Sequence, residues 1–102
     1  MKRSDKFYEH YAMVCQTITN PVRLKIIEIL GEGKLNVSEI QKETGLPMSN
    51  LSNHLGSLFR MGVLKKDKTG NYVYYSLTDK SLLEIIENMS KFVVKISQVN
   101  YK

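Results

Sequence analysis

The chain has 102 residues, 42% of them hydrophobic and 25% charged, which is the composition of a folded domain rather than of a disordered chain. That length makes one domain over residues 1–102 and buries roughly two-thirds of the unfolded surface, enough for a core without staples. Fifteen Lys and Arg against ten Asp and Glu leave a net charge of +5 and point to an anionic partner, while the lone Cys15 excludes an intrachain disulfide and a cysteine-rich metal cage. No apolar run approaches the roughly 18 residues of a membrane span, and Lys2, Arg3, Asp5 and Lys6 precede no signal-peptide core. A soluble cytoplasmic protein without a membrane partner is expected. The charge is unevenly placed: from Gly45 to Leu77, Arg60, Lys65, Lys66 and Lys68 face the single acid Asp67.

In chain order, Phe7, Tyr11, Val14 and Ile18 recur at helical steps and predict an amphipathic helix over Asp5–Thr19. Asn20 then reads as an N-cap with Pro21 at the first helical position, where its missing N–H costs nothing. The helix Pro21–Leu30 that follows is apolar enough to be central, and Gly31 and Gly33 stop it. Asn36 and Glu39 have capping-box spacing ahead of a short helix Val37–Thr44, which turns Val37 and Ile40 inward and ends at Gly45. After Gly45-Leu46-Pro47, Leu51, Leu55 and Leu58 mark another helix, beginning at Met48 or Ser49 and ending at Gly62.

The period then shifts to two. Val63 and Leu64 open a strand, Asp67–Asn71 is turn chemistry around Gly70, and Tyr72–Leu77 is aromatic and β-branched enough for the return strand. Its tyrosines, Tyr72, Tyr74 and Tyr75, are expected to pack rather than to stack on bases. Thr78 or Asp79 caps a last helix over 79–98, with Leu82, Ile86, Met89, Val93 and Ile96 as one seam and Ile85, Phe92 and Val99 beside it. The expected fold is mainly α with a β-hairpin wing, in the order α-α-α-α-β-β-α.

Two short helices joined by a three-residue turn containing glycine make a helix-turn-helix, to which the basic hairpin adds a wing. Its second helix exposes Ser49, Asn50, Ser52, Asn53, Gly56 and Ser57 and carries no carboxylate. Asparagine can bond adenine at two points, and serine can bond a base edge or a phosphate. The candidate DNA-contacting residues are therefore Met48, Ser49, Asn50, Ser52, Asn53 and His54, with Lys66, Lys68 and Asn71 on the hairpin. The hairpin lysines would follow a phosphate strand or enter the minor groove, giving affinity rather than sequence reading; lysines protecting a solvated sheet edge are the alternative. His54, at the border of the apolar face, suits a hydrogen-bonded structural role before DNA contact or metal ligation. His10 and Cys15 are five apart, a poor spacing for sharing a metal. Cys15 reads as a buried small hydrophobe, with a cross-subunit disulfide or a redox-reactive thiol as alternatives. Gly56 in mid-helix either permits close backbone approach to DNA or is merely tolerated. No Ser/His/Asp pattern, phosphate-binding glycine loop or paired carboxylate stands out, so no catalysis and no cofactor are expected.

Apolar seams on both the first and the last helix exceed what one small core needs. A two-fold homodimer would bury them and set two reading helices roughly 34 Å apart, one turn of DNA.

From Tyr11 to about Met89 the sequence resembles the ArsR/SmtB family of small winged-helix repressors. The resemblance rests on Asn20-Pro21-Val22-Arg23-Leu24, on the string from Gly45 to Leu55, and on Gly70-Asn71-Tyr72-Val73-Tyr74-Tyr75-Ser76-Leu77, in that order. It implies a homodimer joined through the first and last helices, repressing from a pseudo-palindromic operator on double-stranded DNA. It also implies where family sensors would sit. At the family's thiolate pair this chain has Asn36 and Ser38, the segment from Ser81 to Lys102 has no histidine, and persulfide-sensing members need a second cysteine. A member without the known family metal sites is expected. The competing readings are a winged-helix module docking an acidic protein and a thiol-responsive regulator acting through Cys15.

Overall fold

The computed structural model describes residues 2–98. Five helices and three strands follow in the order α1 (Asp5–Ile18), α2 (Pro21–Leu30), β1 (Leu35–Asn36), α3 (Val37–Thr44), α4 (Met48–Arg60), β2 (Leu64–Thr69), β3 (Tyr72–Leu77) and α5 (Ser81–Ser97). The caps explain most of the boundaries. The Asn20 side chain accepts from the N–H groups of Val22 at 2.9 Å and Arg23 at 3.3 Å, and Pro21 opens α2. Asn36 and Glu39 exchange reciprocal side chain–backbone bonds of 2.9 Å each, the capping box expected from their spacing.

Strand β1 carries no signal of its own in the sequence. Two residues are too few to carry a period, and what makes Leu35 and Asn36 a strand is their antiparallel pairing with Tyr75 and Tyr74. The sheet therefore has three strands in the order β1-β3-β2. The hairpin turn is also tighter than Asp67–Asn71: pairing continues to Thr69 opposite Tyr72, leaving Gly70 and Asn71 as a two-residue loop. Gly70, at φ 62, supplies the positive φ that a glycine-first hairpin loop requires. At the C-terminal end, α5 starts at Ser81 rather than at 79. Asp79 lies one residue outside the cap position, yet it still accepts the Ser81 N–H at 2.9 Å.

The core is built where the helices meet the inner face of the sheet. Ile26, Ile27 and Leu30 of α2 and Ile40 of α3 pack with Leu51, Leu55 and Leu58 of α4, closed from the sheet side by Leu64, Tyr75 and Leu77. Each α4 leucine contributes about 1.5–3 kcal/mol by leaving water, so burial fixes which side of α4 faces inward. Val37 is only half-buried.

The terminal helices are different. Neither α1 nor α5 holds a fully buried residue. Val14 and Ile18 of α1 are half-buried, whereas Phe7 and Tyr11 of the same face are exposed. Leu82, Leu83 and Ile86 anchor the start of α5, but Ile85, Met89, Phe92 and Ile96 remain 54–63% exposed. Val99, expected beside that seam, lies outside the described residues. Projecting helices also account for a radius of gyration of 15.1 Å, against about 13 Å for a compact domain of this size. Among the described residues, no helix is long and apolar enough to cross a membrane.

Candidate nucleic-acid interface

The turn that joins α3 to α4 is held by its own residues. Gly45 ends α3 in the left-handed conformation (φ 71, ψ 12) and donates its N–H to the Gln41 carbonyl at 2.7 Å. Gln41 Nε2 donates to the Leu46 carbonyl at 3.3 Å, and the Leu46 N–H reaches Thr44 Oγ1 at 3.4 Å. Pro47 occupies the N-cap of α4 and has no side chain with which to cap it. The first-turn N–H groups of α4 are therefore left to solvent or to an anion, at the positive end of the helix.

Burying Leu51, Leu55 and Leu58 turns the opposite side of α4 to water. Met48, Ser49, Asn50, Ser52 and Asn53 are all exposed, forming the polar ridge expected from the sequence, with no acid on the helix to repel phosphate. His54 sits at the edge of that ridge, half-buried. Its Nδ1 accepts from Arg23 Nε at 3.0 Å, and Arg23 Nη1 donates to the Thr17 carbonyl at 3.2 Å. One arginine thus ties the end of α1 and the start of α2 to the middle of α4. This is the hydrogen-bonded role for His54; only Nε2 remains for any other partner. The Asn20–Leu24 motif contains Arg23 but does not reveal this bond, because its partner lies 31 residues away.

Burial, and secondarily the Arg23 charge, lower the His54 pKa from the ordinary 6.5. A depressed histidine favours the folded state fully above pH 6.5 and loses that contribution as pH falls through the folded-state value. Thermal melts at about pH 7.5 and about pH 5.5 should therefore show a larger acid-induced loss for the wild type than for His54→Gln, whose amide oxygen accepts from Arg23 without titrating. Equal losses in the two proteins would remove the bond from this role.

In the wing, strand alternation sorts the charges. Lys66 and Lys68 lie opposite Tyr75 and Val73 on one face, while Lys65 and Asp67 lie opposite Ser76 and Tyr74 on the other. Asp67 is drawn to Lys34 at 3.8 Å, an exposed pair of little energetic weight that nonetheless keeps the wing's acid away from Lys66 and Lys68. Lys66 stands at the base of the wing, its Nζ 4.1 Å from the Phe59 ring centroid at the end of α4. Lys68 and Asn71 are nearer the tip and exposed. Of the tyrosines expected to pack, Tyr75 is buried and Tyr74 half-buried, but Tyr72 is 57% exposed at the tip. Strand alternation puts it on the face of Tyr74, away from the one that Tyr75 and Leu77 turn to the core, with its ring centroid 6.4 Å from that of Tyr74.

Cys15 is half-buried rather than buried, since α1 rests on the body only through its C-terminal half. Its neighbours His10, Tyr11 and Phe7 line a shallow groove along α1. At the family's thiolate positions the donors do not fit a metal: the Asn36 oxygen is spent on capping α3, Ser38 is an exposed hydroxyl, and neither is a soft ligand. Among the described residues, no three His, Cys, Asp or Glu side chains are grouped so that they could hold a metal ion.

Comparison with known proteins agrees with this geometry. A family model for bacterial regulatory proteins of the arsR family matches residues 20–66, from the cap of α2 to the base of the wing. An HTH-type transcriptional regulator of Mycobacterium tuberculosis, Rv0081, is 32% identical over 91% of this chain and 82% of its own. Its crystal structure superposes with a TM-score of 0.84, covering 93% of this chain and 96% of the other at 31% identity. An HTH-type transcriptional regulator of Methanocaldococcus jannaschii is 33% identical over 78% of this chain and 91% of its own. The crystal structure of the transcriptional repressor BigR from Xylella fastidiosa matches with a TM-score of 0.75 at 26% identity, covering 90% and 96% of the two chains. The chain belongs to the arsR family of bacterial regulatory proteins and is a winged helix-turn-helix transcriptional regulator.

Proposed function

We propose that this regulator is a cytoplasmic homodimeric repressor that grips a pseudo-palindromic operator, with α4 of each protomer in a major groove and each wing along the flanking backbone. The observation that carries this reading is the acid-free ridge of Ser49, Asn50, Ser52 and Asn53, exposed opposite three buried leucines. Asn50 and Asn53 have the amide geometry for adenine, and the Ser49 and Ser52 hydroxyls suit a base edge or a phosphate. Met48 stands exposed at the uncapped start of α4, where backbone N–H groups meet a phosphate. His54 Nε2, Lys66, Lys68 and Asn71 serve the DNA backbone, fixing register without reading sequence.

The homodimer rests on the terminal helices. The described residues of one chain leave the apolar seam of α5 and the Phe7 and Tyr11 end of α1 uncovered, and a two-fold mate presents the same surface to cover them. BigR, itself described as a repressor, supports the sign of regulation.

Asn53→Ala should cost about 1–3 kcal/mol on the operator and relax preference at one or two bases, whereas Lys68→Ala should weaken operator and random duplex alike. Fluorescence anisotropy on both duplexes at one salt concentration distinguishes the two. Equal losses on operator and random DNA for Asn53→Ala would refute its role as a reader.

A further inference from the structure

Arg60 closes α4 with its side chain folded back along the helix. Its Nη1 lies 2.9 Å from the place a Gly56 Cβ would occupy, with Cζ at 3.7 Å and Nη2 at 3.8 Å. Nη2 also donates to Ser57 Oγ at 3.5 Å. The guanidinium therefore sits, Nη1 foremost, in a slot that exists because residue 56 has no side chain. A glycine inside a helix is unfavourable to the folded state, so its presence here calls for a local reason, and the seated guanidinium supplies one.

The position of that seat matters. Ser49, Asn53, Gly56 and Arg60 follow at steps of four, three and four, on the line opposite Leu51, Leu55 and Leu58. Arg60 carries the sole formal charge on α4, counting histidine as neutral, and among the described residues no carboxylate pairs with it. An arginine serving the DNA backbone would extend away from the ridge. This one is laid onto it, one turn back toward Asn53, presenting a planar fork of donors that matches O6 and N7 of guanine.

We propose that Arg60, seated in the slot left by Gly56, reads a guanine in each operator half-site. This inference rests on α4 being the reading helix. Its test is selection of bound fragments from random duplex DNA by the full-length wild type, Arg60→Ala and Gly56→Ala, with a thermal melt of each protein.

The wild type should enrich a motif with one fixed guanine per half-site. Arg60→Ala should lose the preference at that position alone, binding the selected site about 5- to 150-fold more weakly with little change on random duplex. Gly56→Ala should weaken the same preference while melting about 4 °C higher, because the methyl moves only the end of a flexible side chain and alanine favours the helix. A guanine retained by Arg60→Ala, or an equal loss on selected and random DNA, overturns the inference and leaves the reading role of α4 intact. A guanine preference undiminished in Gly56→Ala overturns the seat. A wild type that enriches no motif overturns the operator reading itself, and the inference with it.

Discussion

Phe92→Glu is expected to turn the regulator into a monomer and to weaken operator binding by about 10²–10⁴-fold. Phe92 is 54% exposed in the single chain and shares a stripe of α5 with Ile85, Met89 and Ile96. In a two-fold pair, symmetry brings that stripe against its own copy, so one substitution places two carboxylates in the same apolar seam, unpaired and desolvated. The cost falls on association rather than on folding, because no residue of α5 belongs to the buried core. Once the protomers separate, each wing and α4 engages a half-site alone, and the second contact is no longer held near its target by the first. Light scattering gives the mass and anisotropy gives the affinity. A variant that remains dimeric and binds normally would move the interface elsewhere.

The second large effect is on salt dependence. If a dimer neutralises 6 to 10 phosphates through its uncapped α4 termini and wing lysines, affinity for the operator should fall about 10³–10⁵-fold between about 50 and 200 mM salt. Lys68→Ala should make the slope of log affinity against log salt shallower by about 2 per dimer, one contact for each protomer. Lys66→Ala should change the slope less, since that ammonium is partly engaged with the Phe59 ring. A flat salt response together with indifference to duplex sequence would instead favour docking on an acidic protein.

Much of this arrangement was legible in the residues. The caps of α2 and α3, the Gly45 turn, the three leucines of α4 and the ridge opposite them are all local features, specified within one or two helical turns. The position of Arg60 on that ridge was equally local, following from steps of four, three and four, but its guanidinium seat was not. That seat depends on a rotamer and on the space above Gly56.

The helix-turn-helix, the wing and the acid-free reading face are specified by the residues alone, because periodicity and capping act over a turn or two of helix or a single hairpin. Which distant residues answer one another is a matter of packing between elements. Leu35 and Asn36 became a strand by meeting Tyr75 and Tyr74, Arg23 found His54, and Asp67 turned to Lys34, away from the basic face. Such contacts depend on where separate elements come to rest, and a pattern of neighbours along the chain does not carry that information. The uncovered seam of α5 belongs to both levels: the spacing announced an apolar stripe, and the packed core showed that the chain's own described residues do not cover it.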